Sequence, residues 1–325
     1  MNNYIVADGA PEMLAQMIAH VKIYGVDSPS RNGPVRTLPY PVMVEVKNPK
    51  RRTLFCPVRR ANPFFHVAEF VWMLSGSNMP EWIAQFNSRF VEYADTNNDS
   101  KTPIIHGAYG HRWRSHFGQD QIIQCVRMLR NNHEDRRAVL QMWDGRVDLM
   151  VDHNDVPCNT TIYLRITGGK LDMTVSNRSN DIIWGMCGAN IVHMTLLQQL
   201  IAELVGVEVG KYYVMSNNAH VYLDNPQTQR LFRDHRCGQE EAWYETPNML
   251  DADTTHYSHV VGEARQLMME GPDNDWESLT TPFFSEVAWP MIAAYKTKDR
   301  AYIDAIGDKN WCKAAKLWAD WHNWL

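Results

Sequence analysis

The sequence predicts an α+β fold, a mixed β-sheet with surrounding helices, followed by a helical C-terminal extension. Three stretches predict it. Residues 160–177, "TTIYLRITGGKLDMTVSN", hold two alternating runs around Gly168-Gly169, the pattern of a β-hairpin. Residues 190–206, "NIVHMTLLQQLIAELVG", put Met194, Leu197, Ile201 and Leu204 on one helical face and close with Gly206. Residues 282–325 read as helices that end in a stripe of Trp311, Ala315, Trp318 and Trp321.

The remaining elements follow in chain order. Residues 35–47, "VRTLPYPVMVEVK", read as extended. In "NPFFHVAEFVWMLSG", Asn62 can cap a helix, Pro63 suits its first turn and Gly76 ends it. Residues 119–131 have apolar side chains at helical spacing, "RAVLQMW" alternates like a strand, and "KYYVM" is a short strand. Residues 238–280 are acidic and read as loop. The expected organisation is a catalytic domain over 1–235, with 236–325 an acidic loop region and a Trp-rich helical extension packed on it.

Composition narrows the function. The chain has 325 residues, 45% of them hydrophobic, enough for one large core. With 32 basic against 37 acidic side chains, the net charge of −5 argues against coating nucleic acid or an anionic membrane. A few local arginines still suffice for one phosphate. The six cysteines are widely spaced with no CxxC pair, which fits a reduced cytoplasmic protein better than a disulfide framework or a zinc site. The start "MNNYIVADGAPEM" lacks the blocks of a signal peptide, and no apolar run approaches a membrane span. His106, His111 and His116 recur every five residues, a poor fit to one helical face, so no metal is expected.

Each candidate residue has a bland reading. A lone cysteine such as Cys158, before the strand in "DVPCNTTIYL", is most often a small apolar core residue. "EDRRAV" is most often a solvated charge pair, "SNRSND" a turn, and His220 and Tyr222 can satisfy one another. Glu69 lies among Phe65, Val67, Phe70 and Val71, where a helical carboxylate points either inward or outward. Taken together, the same residues make a site. Arg136, Arg137 and Arg178 supply planar forks for phosphate oxygens, and Ser179 adds a hydroxyl. A cationic neighbour favours the Cys158 thiolate, the nucleophilic form. Asn190 offers one donor and one acceptor to an amide-like base edge such as that of uracil. His220 and Tyr222 suit a sugar hydroxyl, and Glu69 and Asp181 can handle protons near a reacting ring.

Over residues 25–230 the order and spacing of these residues resemble thymidylate synthase and its relatives, the pyrimidine-nucleotide hydroxymethylases. "SRNG" matches the family's arginine-glycine start and implies Arg31 as a phosphate ligand. Arg59-Arg60 match its basic pair, and "VAEFVWMLSG" its glutamate helix, giving Glu69. "YGHRWR" matches "YGxxWR", giving Tyr109 a catalytic role. "EDRR" matches "DSRR", whose arginines, here Arg136 and Arg137, reach the phosphate of the neighbouring subunit. Pro157-Cys158 is the nucleophile motif. "NRSND" matches "QRSxD", which gives phosphate to Arg178 and Ser179 and the folate and ring to Asp181. "ANI" gives Asn190, and the "HxY" motif gives His220 and Tyr222.

The resemblance implies a thymidylate-synthase-like fold, a homodimer with shared active sites, and 5,10-methylenetetrahydrofolate as cosubstrate. It places that cosubstrate against Arg59, Phe90, Tyr93, Asp181 and Gly185. Several positions depart from the synthase pattern. Asn159 replaces a histidine, Phe90 and Tyr93 replace tryptophans, Asn180 replaces a cysteine, and "GMCGAN" is one residue longer. The synthase's closing apolar tail has no match. Several of these changes touch the folate side, so the expected reaction is hydroxymethylation of dUMP. Thymidylate synthesis, dCMP hydroxymethylation and a catalytically silent nucleotide-binding relative stand as alternatives. Hydroxymethylases of this family often serve viruses, which would place the protein in a host cytoplasm.

Overall fold

The computed structural model describes residues 3–96, 102–149, 153–234, 243–251, 254, 256–270 and 278–324. The chain divides into two units, one of residues 1–61, 158–202 and 207–245, the other of 62–157, 203–206 and 246–325.

In the first unit five strands lie in the order Tyr4–Ala7, Val42–Val46, Glu208–Ser216, Lys170–Asn177 and Asn159–Thr167. Successive pairs alternate parallel and antiparallel, so the sheet is mixed, as expected. The predicted hairpin is present. Gly168 and Gly169 take φ of 58° and 75°, the left-handed pair that a tight two-residue turn needs. One face carries Val44, Val46, Val214, Met173, Val175, Ile162 and Leu164, all buried. Helix Ala10–Tyr24 presents Met13, Leu14, Met17, Ile18 and Val21 to the core at helical spacing. Helix Asn190–Val205 is buried nearly all round, its polar side chains His193, Thr195, Gln198 and Gln199 included. The other face keeps Tyr4, Val6 and Tyr163 exposed. A second, smaller sheet joins Asn180–Asp181 in parallel to Ala219–Tyr222, then antiparallel to Val35–Thr37 and Val26–Ser28.

The second unit is built on helix Pro63–Ser75, every residue of which is buried. Its ends are those the sequence predicts. The Asn62 side chain accepts from Phe65 N, Pro63 opens the first turn, and Gly76 closes it at φ 78°. The Trp-rich C-terminus packs within this unit. Trp318 lies edge-on to Phe64 at 5.5 Å and Trp324 stacks on it at 5.2 Å. One expectation fails. Within the stretch read as loop, residues 257–270 form helix Tyr257–Glu270. Tyr257, Val260, Val261, Ala264 and Leu267 bury one face of it, a helical spacing masked by the acidic residues on either side. The remainder of that stretch, 238–242, 252, 253, 255 and 271–277, lies outside the described residues. Cys56 is disulfide-bonded, against the expectation of uniformly reduced thiols, whereas Cys125, Cys158, Cys187 and Cys312 are free.

The "YGHRWR" motif is explained by packing against the buried helix. Gly110 approaches it so closely that a Cβ there would lie 2.1 Å from Met73 O and 2.5 Å from Met73 Cα. Trp113 is fully buried, and Arg114 Nη1 donates to the last carbonyls of the helix, Leu74 O and Ser75 O, both at 2.9 Å. The motif thereby seats Tyr109 against the element that carries Glu69. Gly110→Ala must push one backbone off the other. It is expected to destabilise the protein by about 3 kcal/mol. An unchanged urea midpoint in that variant would contradict the packing described.

Candidate active site

In the first unit several of the sequence-predicted residues lie on or beside the short strand Asn180–Asp181. Cys158 is half-buried at the start of its strand. Arg178, on the neighbouring strand's exit, donates its backbone N–H to Cys158 O at 3.0 Å and places Nη2 3.8 Å from Cys158 Sγ. A guanidinium at that distance favours thiolate over thiol. Cys187, the other free cysteine among the described residues of this unit, is fully buried, and burial pushes its thiol well above the usual range. Two cysteines near one site thus have opposite environments, and only Cys158 suits a nucleophile.

Asp181 heads the helical turn that follows. Its Oδ1 accepts from Ile183 N at 2.8 Å and Trp184 N at 3.2 Å. Burial raises the Asp181 carboxyl above its usual range despite those two donors, which suits a group that exchanges protons. His220 pairs with Asp181 across the parallel strands. Burial holds its imidazole below the ordinary value, against the pull of Asp181. Asn218 Oδ1, 2.9 Å from His220 Nδ1, can only accept, so the neutral ring carries its proton on Nδ1 and keeps Nε2 as an acceptor. Tyr222 meets the ring edge-on at 5.2 Å. Ser179 is half-buried, and Arg31 is exposed in the turn that ends at Gly33.

The extra residue of "GMCGAN" has a definite structural consequence. Residues Ile182–Ala189 wind as a wide π-helical turn, in which Asn190 N–H bonds to Gly185 O, five residues back. Gly188 absorbs the break at φ −120°, ψ −108°. Asn190 is thereby delivered to the head of the long helix with Nδ2 3.4 Å from Asn180 Oδ1. Arg59 is buried, with Nε on Ile183 O at 3.1 Å, and burial lowers its pKa to about 10. Its guanidinium lies 5.5 Å from the Trp184 ring, which is 45% exposed. An open indole beside a cation fits an aromatic cosubstrate that carries carboxylates, as a folate does. The resemblance gave Arg59 and Gly185 but not Trp184, whose signal was only an apolar position two residues past Ile182.

The other predicted residues belong to the second unit. Glu69 is buried, which settles the orientation the helix pattern left open. Tyr109 is half-buried. Phe90 packs against Phe65, edge-on to Trp72 at 5.6 Å, with Tyr93 at 6.4 Å. Arg136 and Arg137 are exposed just before strand Val139–Gln141, and Arg137 is held by Asp135 at 2.7 Å. The histidine series has its own explanation here. Arg112 and Asp148 form a fully buried ion pair at 2.8 Å, and His106 adds to Asp148 at 2.7 Å. His106 also stacks on His153, centroids 3.6 Å apart, and His153 bonds Asp95 at 2.8 Å. Asp155 accepts from Gly107 N at 3.1 Å. The segment leading into Pro157 is fixed by this network, which sequence spacing did not suggest.

The family model for thymidylate synthase matches residues 14–251. Over 97% of its length the chain is 37% identical to a deoxyuridylate hydroxymethyltransferase of Pseudomonas phage M6, covering 92% of that protein. It is 36% identical to a deoxyuridylate hydroxymethyltransferase of Bacillus phage SP01, over 57% of this chain and 50% of the relative. A thymidylate synthase of Corynebacterium aurimucosum is 27% identical over 61% of this chain and 75% of its own.

Proposed function

The chain belongs to the thymidylate synthase family, and we propose that it is a one-carbon transferase that hydroxymethylates dUMP at C5. The observation that carries this reading is the likeness over 97% of the chain to a deoxyuridylate hydroxymethyltransferase. The site's chemistry supports it: a thiol beside Arg178, a carboxyl raised by burial at Asp181, and an amide at Asn190. Methylenetetrahydrofolate supplies the one-carbon unit at the oxidation level of formaldehyde; within the first unit Arg59, Trp184 and Gly185 are the residues suited to hold it, and Phe90 and Tyr93 keep the folate role that the resemblance implies.

In this account the Cys158 thiolate adds to C6 of the pyrimidine and makes C5 nucleophilic. C5 takes the one-carbon unit, and the C5 proton leaves to a base, with Asp181, Glu69 and Tyr109 as the proton-handling groups. Loss of that proton expels tetrahydrofolate, unoxidised, as its bond to the one-carbon unit breaks and leaves an exocyclic methylene on C5; water then adds to the methylene, and the bond from C6 to sulfur breaks. Arg31, Arg178 and Ser179 hold the phosphate, His220 and Tyr222 the sugar, and Asn190 the base.

Arg136 and Arg137 are assigned to the phosphate site of the partner subunit in a homodimer. Support comes from their exposure and from the sheet face that leaves Tyr4, Val6 and Tyr163 in the open. The phage origin of the named hydroxymethyltransferases supports action in the cytoplasm of an infected cell. Among the described residues no helix is long and apolar enough to cross a membrane.

The direct test uses dUMP and dCMP, each tritiated at C5. Tritium release from dUMP on adding methylenetetrahydrofolate, at a rate at least about tenfold that from dCMP, is the expected result. Release from dCMP alone would move the substrate to cytosine. No release from either would leave a silent nucleotide-binding relative.

A further inference from the structure

We infer that Asn180 is the positioning residue that sets which edge Asn190 shows to the base, so that discrimination between uracil and cytosine is held one shell behind the reading amide. The inference rests on Asn190 as the base reader. Asn180 is 2% exposed, and its backbone is pinned by N–H to Asn218 O at 2.8 Å. Its side-chain Nδ2 donates to Ser216 Oγ at 3.4 Å, and Ser216 is itself fully buried. Its Oδ1 accepts from Asn190 Nδ2 at 3.4 Å. Ser216, Asn180 and Asn190 form one directed chain of hydrogen bonds.

That direction has a chemical consequence. With one Asn190 N–H engaged by Asn180, the amide keeps its second N–H and its Oδ1 for a ligand. Uracil offers O4 as acceptor and N3–H as donor, and matches. Cytosine offers N3 as acceptor and the amino group as donor, and matches only if the amide turns over. Turning Asn190 alone would set its Oδ1 against Asn180 Oδ1, two acceptors face to face. Reversing both amides requires Ser216 Oγ to change from acceptor to donor as well. The space is also closed: a Cβ on Gly185 would lie 2.7 Å from Asn180 Oδ1 and 3.3 Å from Asn190 Nδ2. The turn therefore sits directly over the amide pair, and only glycine fits there.

The test measures equilibrium binding of dUMP and dCMP by calorimetry, without folate, for the wild type and three variants. Asn180→Ala releases Asn190 and is expected to shrink the ratio of dUMP to dCMP affinity about tenfold. Asn180→Asp keeps an acceptor for Asn190 Nδ2 and is expected to keep the ratio within about twofold of wild type. A structural defect would lower both affinities together and leave the ratio unchanged. Asn190→Ala is the control, and its ratio is expected to collapse. If that ratio persists, the base is read elsewhere and the underlying reading fails. If it collapses while Asn180→Ala keeps the wild-type ratio, the positioning role alone is overturned. Equal loss of the ratio in the Ala and Asp variants at position 180 also overturns it.

Discussion

Cys158→Ala is expected to lower turnover by more than about a thousandfold while dUMP still binds. The reason is local. The proposed reaction needs sulfur to open the pyrimidine ring electronically, and no other described cysteine can substitute. Cys187 is buried and held as a thiol, Cys125 is buried with its thiol pushed up to about 11, and burial raises Cys312 as well. Phosphate and sugar contacts do not use the thiol, so binding should persist. Arg178 loses only a neighbour at 3.8 Å. Tritium release at near wild-type rate from the variant would remove covalent catalysis by Cys158.

The second large effect comes from sharing of sites between subunits. Cys158→Ala and Arg137→Ala should each be inactive as homodimers. Mixed under subunit exchange, they should regain up to about a quarter of wild-type activity. Half of the dimers are then mixed, and each mixed dimer has one site with both residues intact. Arg137 is well placed for such a role. Its side chain is 81% exposed, yet Asp135 holds the guanidinium in a fixed orientation. Because the guanidinium is open to water, the pair orients Arg137 more than it stabilises the fold. Absence of recovery despite demonstrated exchange would return Arg137 to an ordinary surface role.

The parts of this molecule that were legible in the sequence are those where local chemistry decides. The Asn62, Pro63 and Gly76 signals bracket a helix because caps act within one turn, and Gly168-Gly169 make a hairpin because only glycine takes two successive left-handed positions cheaply. Helix Tyr257–Glu270 escaped because acidic flanks hid its apolar stripe. Within the candidate site, residue identities were legible through the family resemblance, but their coupling was not. His106 and Asp148 are 42 residues apart, and Asn180 and Ser216 are 36 apart. No local period encodes such pairs. The inserted residue before Asn190 is legible as a length difference, but its absorption in a π-helical turn depends on the break at Gly188 and the close fit at Gly185.

The exocyclic methylene has two possible fates, reduction by hydride or attack by water. Hydride transfer from folate requires the cosubstrate held flat and water kept out. This chain has Phe90 and Tyr93 where the resembled synthases have indoles, Tyr93 is exposed, and Asn159 and Asn180 bring buried amides to the strands beside Cys158. Those features favour attack by water. Incubation of the wild-type protein with dUMP and methylenetetrahydrofolate decides the matter, with the nucleotide product weighed by mass spectrometry and dihydrofolate followed by absorbance. The expected products are 5-hydroxymethyl-dUMP and tetrahydrofolate, with no dihydrofolate. A methylated nucleotide with one equivalent of dihydrofolate would contradict this reading and make the protein a thymidylate synthase.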